Sequence, residues 1–372
     1  MGVRGYKPTQ KEIYNISTTN NDVYLQLWQE LQMLRYLRGG KAPYGKKVTA
    51  PYIDQAKTYF NDAVKSNWKS SGLIYYYSFL NLAKALIVSK RYLSGTYLAS
   101  TNVYHGLSAQ TQSINNLLDF EIEIHPKVSR GKKNIFAIFY KAVTGVEWPF
   151  NHNVKVTVGD IISYCQDIEH ESTNFYGIDK KVLPVYSTIR YSNKEAWFEI
   201  LCNDEYLNNL LNDLPFELYS LVHKKFVSRF DFSDWKSEYN VHSSQFSRNT
   251  LINFKPLSLN GSSLQVRIQE ISREAQIALA GFFVYPSHQN LQENYWYFIT
   301  KLDVGARRLV WRPILSNYLF AFVLSTILRY YPFLFYSDSQ DSFISEAWCN
   351  QSPETTLRQL LMEFTNPSIR LN

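Results

Sequence analysis

The sequence predicts an α+β fold, predominantly helical, with helical N- and C-terminal parts around a mixed middle with short antiparallel hairpins. Three observations predict it. Near the N-terminus Leu25, Trp28, Leu31, Leu34 and Leu37 recur at helical spacing. The segment from Leu73 to Leu93 is apolar almost all round, the mark of a helix buried on most sides. Between the ends, short runs such as Asp119 to Ile124 alternate with the period of a strand.

The elements follow in order. A first helix is expected from about Asn21 to Arg38, capped by Asn20 or Asn21 and closed by Gly39-Gly40. A basic, glycine-containing loop, Gly39 to Lys47, comes next. Pro51 is expected to open a second helix to about Trp68, its apolar face marked by Ile53, Ala56, Phe60 and Ala63. A turn over Lys69–Gly72 then pairs it, antiparallel, with the Leu73–Leu93 helix. Asp119 to Ile124 reads as a strand. Asn134–Val143 and Val158–Ile168 read as helices, the second capped by Thr157 with Asp160 in a variant capping box. Val185–Tyr191 and Ala196–Leu201 suggest a hairpin, Pro215–Arg229 a helix, and Thr250–Leu259 with Ser263–Ile268 a second hairpin around Asn260-Gly261. Tyr295–Thr300 is a further strand. Helices return at Pro313–Tyr330, Ser342–Trp348 and Pro353–Phe364. The predicted division is residues 1–176, mainly helical, and 177–372, mixed and ending in helices, with the boundary near Gly177. There is no internal repeat or low-complexity segment.

Composition narrows the class. The 372 residues carry 28 Tyr, 23 Phe and 8 Trp, so the interior must contain many aromatic rings whose polar tips need partners. Net charge is +7, with Lys and Arg in short groups such as Arg130-Gly131-Lys132-Lys133 and Arg307-Arg308. That balance permits contact with a polyanion without demanding it. The 3 cysteines are odd in number and widely spaced, which argues against a disulfide framework or a zinc site and fits a reducing cytoplasm. No secretory leader is expected. The uncharged run from Pro313 to Leu328 is shorter than the ~20 residues of a spanning helix, so it is read as a core helix and no membrane is expected.

Most catalytic motifs are missing. Gly40, Gly45 and Lys46 approach a phosphate loop, but Lys47 stands where Ser or Thr should hold magnesium. Asp167, Glu169, His170 and Glu171 are the densest potential metal ligands, yet Asn174 occupies the position of the second His in a zinc helix. Glu121 and Glu123 near Lys127 lack the acidic-x-Lys step of a metal-dependent nuclease. No metal or cofactor is expected, and no catalytic set is read.

Three segments together resemble the YaaC-like family of bacterial proteins. They are Tyr75 to Leu86 (YYYSFLNLAKAL), His105-Gly106-Leu107, and Phe322 to Pro332 (FVLSTILRYYP). Order and spacing hold from about Tyr24 to Trp348. The resemblance implies a bacterial, cytoplasmic protein and no settled activity. The helical pairs are also loosely similar to HEPN domains, known from bacterial defence and toxin systems. Those nucleases place a His a few residues after an Arg, and no Arg here has such a His.

The candidate site follows from polar residues in apolar helices. Tyr77, Asn81 and Lys84 share one stripe, and Ser325 and Arg329 another. With His105 they would make a Tyr-lined basic pocket for a phosphate, provided that Lys84, His105 and Arg329 meet. The expected function is a non-catalytic binding or scaffold protein, perceived as a bacterial defence component that contacts nucleic acid or a partner protein. The alternative is an enzyme acting on nucleic acid or nucleotides at those residues. A third reading is an oligomer held by Tyr-rich faces.

Overall fold

The computed structural model describes residues 4–6, 27–29, 31, 43–98, 103–109, 116–126, 132–179, 181–191, 195–203, 248–253, 257–258, 283–284, 295–336 and 339–365. They form an α+β protein that is predominantly helical, in two compact units. One unit is residues 16–181 with 302–372; the other is residues 1–15 with 182–301. The chain leaves the first unit after Lys181. From Leu302 the chain returns to that unit.

The first unit is built around helices α1 (Pro43–Lys65), α2 (Trp68–Ser89), α3 (Gly95–Leu98), α4 (Ile135–Thr144), α5 (Val158–Ile162), α6 (Glu169–Tyr176), α7 (Pro313–Tyr330), α8 (Phe333–Tyr336) and α9 (Gln340–Thr365). Helices α1 and α2 are the expected antiparallel hairpin. Phe60 packs edge-on against Tyr75, and Ser78 Oγ donates to Ala56 O at 2.8 Å. The turn, however, is at Ser66-Asn67. Asn67 Oδ1 accepts Lys69 N–H at 3.0 Å and caps α2, so Lys69–Gly72 are helical. Pro51 lies inside α1, which begins at Pro43, so Pro43–Lys47 are helical where a loop was expected. The phosphate-loop reading fails there, since Gly45 and Lys46 sit in a helix. The two predicted C-terminal helices are one, α9, running through Pro353. Burial of Trp348, Leu357 and Leu360 on its length holds it together, so packing overrides the breaker.

Helix α7 is buried on every side from Pro313 to Ile327, and it crosses α2 closely. A Cβ on Gly72 would stand 2.8 Å from Leu324 Cβ, so only glycine permits that approach. Two of the buried indoles find polar partners: Trp348 Nε1 donates to Asn317 Oδ1 at 2.9 Å, and Trp311 Nε1 to Ser316 Oγ at 2.8 Å. No helix among the described residues is long and apolar enough to cross a membrane.

Small strands flank the helices. Leu107–Ala109, Glu121–Ile124 and Val154–Thr157 form an antiparallel sheet in that order, with Ile122 and Ile124 buried. Val103–Tyr104 pairs parallel with Lys133–Asn134. The Thr157–Asp160 capping box is present, and α5 is shorter than expected, giving way to a 3-10 turn at Gln166–Ile168.

The second unit is an antiparallel sheet. Its order is Leu257–Ser258, Glu195–Asn203, Val182–Tyr191, Tyr295–Ile299, Phe283–Val284. Arg4–Tyr6 also pairs with Val182–Tyr191, and Arg248–Asn253 with Glu195–Asn203. The predicted hairpin of Val185–Tyr191 and Ala196–Leu201 is there, with longer strands. The expected helix at Pro215–Arg229, the strand at Ser263–Ile268 and most of the helix at Asn21–Arg38 lie outside the described residues.

Candidate functional site

A cleft of about 360 Å³ opens in the helical unit. Helix α2 gives it Tyr76 and Tyr77. Helix α7 gives Phe322, Thr326, Arg329 and Tyr330, a stripe at i, i+4, i+7 and i+8, followed by Tyr331. The third wall is His105, Leu107 and Ala109.

The His105-Gly106 element is positioned by its backbone. Gly106 has φ +79°, a left-handed conformation. A Cβ there would fall 1.9 Å from Asn134 Oδ1. Asn134 is itself buried and committed: Oδ1 accepts Ala137 N–H at 3.0 Å and caps α4, while Nδ2 donates to His125 O. His105 O accepts Phe136 N–H at 3.3 Å, and Gly106 O accepts His125 N–H at 2.9 Å. The imidazole is therefore held on the rim of the cleft by a backbone that only glycine allows.

The charged groups converge. Burial lowers the His105 pKa, and the positive charges of Lys84 and Arg329 lower it further, so each of the two cations lies within electrostatic reach of His105. Burial also lowers the Lys84 ammonium, which stands 5.8 Å over the Tyr52 ring. Arg329 Nε donates to Ser325 O at 2.9 Å and its guanidinium stacks by Tyr330. Its terminal nitrogens have no hydrogen bond or ion pair with any described residue. His105 Nδ1 is 2.9 Å from the Tyr76 hydroxyl. Tyr76 is 3% exposed, and burial pushes its phenol well up, so it stays protonated.

Of the residues expected at the site, Tyr77, His105 and Arg329 line the cleft, and Lys84 does not line it but acts on His105 through its charge. Asn81 and Ser325 do not line it either. Asn81 Nδ2 donates to Tyr77 O at 2.9 Å, and Ser325 Oγ to Phe322 O at 2.8 Å, so both are bonded to their own helices. Thr326 takes the place proposed for Ser325. Tyr76 is missed, although its spacing to Lys84 puts both on one face. Leu107 is read only as part of the His105-Gly106-Leu107 element, and Ala109 carries no sequence signal at all.

Two other clusters are structural. Ser108 Oγ is 2.5 Å from His125 Nε2, which suggests a nucleophile pair. Yet Ser108 Oγ also lies 3.4 Å from Glu123 Oε2, and that carboxylate is 3.6 Å from the same His125 nitrogen. A carboxylate on the Ser side takes the Ser proton and leaves Nδ1 unoriented, the reverse of a triad. Around Asp167, Thr355 Oγ1 donates to its Oδ1 at 2.9 Å, Gln351 Nε2 donates to Glu171 at 2.9 Å, and His170 pairs with Asn174. No group of three His, Cys, Asp or Glu among the described residues could hold a metal.

Comparison with known proteins gives one result. A family model described as YaaC-like Protein matches residues 21–361, a range that contains all three segments of the resemblance and every residue of the cleft. No curated protein and no solved structure matches the chain.

Proposed function

The chain belongs to the YaaC-like family, and we propose that it is a non-catalytic binding protein whose cleft holds a phosphate-bearing aromatic unit, a nucleotide that is free or at the end of a nucleic acid strand. One observation carries the reading. Five aromatic rings and two converging basic groups, His105 and Arg329, line the same cleft. Aromatic faces stack on bases of any kind, and a guanidinium with free terminal nitrogens pairs with phosphate oxygens. A net charge of +7 favours approach of a polyanion. In the cell this chemistry suits a cytoplasmic component of bacterial defence that meets nucleic acid.

The test is a titration with AMP, adenosine and inorganic phosphate, followed by single strands with and without a 5′ phosphate. AMP should bind more tightly than either part alone, and more weakly as salt rises. Arg329→Ala should weaken AMP binding about tenfold or more, since a hydrogen bond to a charged group contributes about 1.5–3 kcal/mol. Equal binding of AMP and adenosine would sink the proposal.

The alternative is an enzyme acting on nucleotides. It is favoured by a neutral His105, hydrogen-bonded to a Tyr and beside an Arg, which could move a proton. Turnover of a bound nucleotide that is lost in His105→Ala, with folding intact, would put that reading first.

A further inference from the structure

The proton order at His105 can be read from burial. The Tyr76 hydroxyl lies 2.9 Å from His105 Nδ1. Either group could donate, and the two orders leave different debts. If Nδ1–H donated to Tyr76, the Tyr76 proton would need another acceptor. Tyr76 is 3% exposed, and its ring packs 5.8 Å from that of Tyr318, which is also buried. The Tyr318 hydroxyl is buried without a hydrogen-bond partner among the described residues, so it offers Tyr76 no bonded acceptor. A Tyr76 proton turned away from Nδ1 would therefore be stranded in the core. The order that leaves the fewest buried protons stranded runs from Tyr76 to Nδ1.

We infer that Tyr76 is a positioning residue that fixes His105 as the Nε2–H tautomer, so that the basic end of the cleft offers hydrogen-bond donors and selects an acceptor-only group such as an ionised phosphate. This rests on the reading of the cleft as a ligand site. Nδ1 is occupied by Tyr76, so the opposite ring edge is the one left for a ligand. His105 Nε2–H and the terminal nitrogens of Arg329 then act together. Neither accepts a hydrogen bond, and the Arg329 charge opposes a cationic ligand. The burial and neighbouring charges that lower the His105 pKa keep the ring neutral, and a neutral ring is what gives the tautomer meaning.

The experiment is a long-range proton–nitrogen correlation spectrum of the ligand-free, 15N-labelled full chain at pH 7.5, with the His105 signals assigned by their loss in His105→Gln. The expected result is a single Nε2–H tautomer in the wild type and an added Nδ1–H fraction in Tyr76→Phe. That variant removes one hydroxyl and should weaken AMP binding a few-fold, roughly in proportion to the competent fraction lost. A wild-type ring that is mainly Nδ1–H, or a tautomer unchanged in Tyr76→Phe, would overturn the inference. The wild-type spectrum decides the matter even where the variant folds poorly. It needs no ligand, so a failed AMP titration beside the expected tautomer would overturn the nucleotide reading and leave the role of Tyr76 standing.

Discussion

At the scale of single residues, the His-Gly pair joins local geometry to chemistry. Gly106 holds a left-handed backbone and its missing Cβ leaves room for the Asn134 amide. Gly106→Ala should therefore lose roughly 2–4 kcal/mol, from backbone strain and overpacking together. Denaturant unfolding measures it, and a variant as stable as wild type would refute the close approach. His105 sets a pH dependence whose sign follows from its lowered pKa. Burial comes first among the causes, then Lys84 and Arg329, while Tyr76 faces the ring as a neutral phenol. The unfolded chain then binds the proton more readily than the folded one. Stability should fall as pH drops below the ordinary His value of ~6.5 toward the lowered folded value, and be flat on this account above it. A thermal melting series from pH 7.5 to 5 should show a shallower loss in His105→Gln than in the wild type.

At the scale of elements, the α2–α7 crossing governs the cleft, because each helix gives it one wall. The crossing depends on Gly72, whose Cβ would meet Leu324 Cβ at 2.8 Å, an atom that cannot swing away without moving the helix. Gly72→Ala gains helix propensity of ~1 kcal/mol but forces the helices apart, and the net should be a loss of about 1–2 kcal/mol with weaker AMP binding. A stabilised variant would show that α7 yields easily. The same elements explain how far the sequence could be read. Local signals were legible: the Thr157 box, the α1–α2 hairpin, the alternation of Glu121–Ile124 and the uncharged α7 all stand as expected. Pro51 and Pro353 were misread as helix starts, because neighbouring packing holds α1 and α9 together across them and periodicity does not report packing. Lys84, His105 and Arg329 were legible as polar residues in or beside apolar segments. Asn81 and Ser325 looked the same from sequence, and only their bonds to the carbonyls of Tyr77 and Phe322 separate them from ligand-facing groups.

At the scale of the whole molecule, the helical unit is made of two stretches of chain. Residues 16–181 supply α1 to α6, and residues 302–372 supply α7 to α9. Neither stretch closes a core alone: the Tyr75 and Phe79 rings of α2 pack on Trp348 of α9, and Tyr76 packs on Phe322 of α7. Ending the chain at Lys301 would strip these partners from α2, and such a fragment should fail to unfold cooperatively. The sheet of residues 182–301 is arranged differently. Its first and last strands pair directly, Val182 opposite Ile299, so the chain leaves the helical unit and comes back at neighbouring points. A short Gly/Ser linker can span partners in adjacent strands, which lie ~5 Å apart. Replacing residues 182–301 by such a linker should therefore leave a cooperatively folding helical unit that still binds AMP through Arg329. Circular dichroism melting with an AMP titration measures both properties. A melted product would overturn the independence of the helical unit, and a folded product that no longer binds would overturn the placing of the whole ligand site within it.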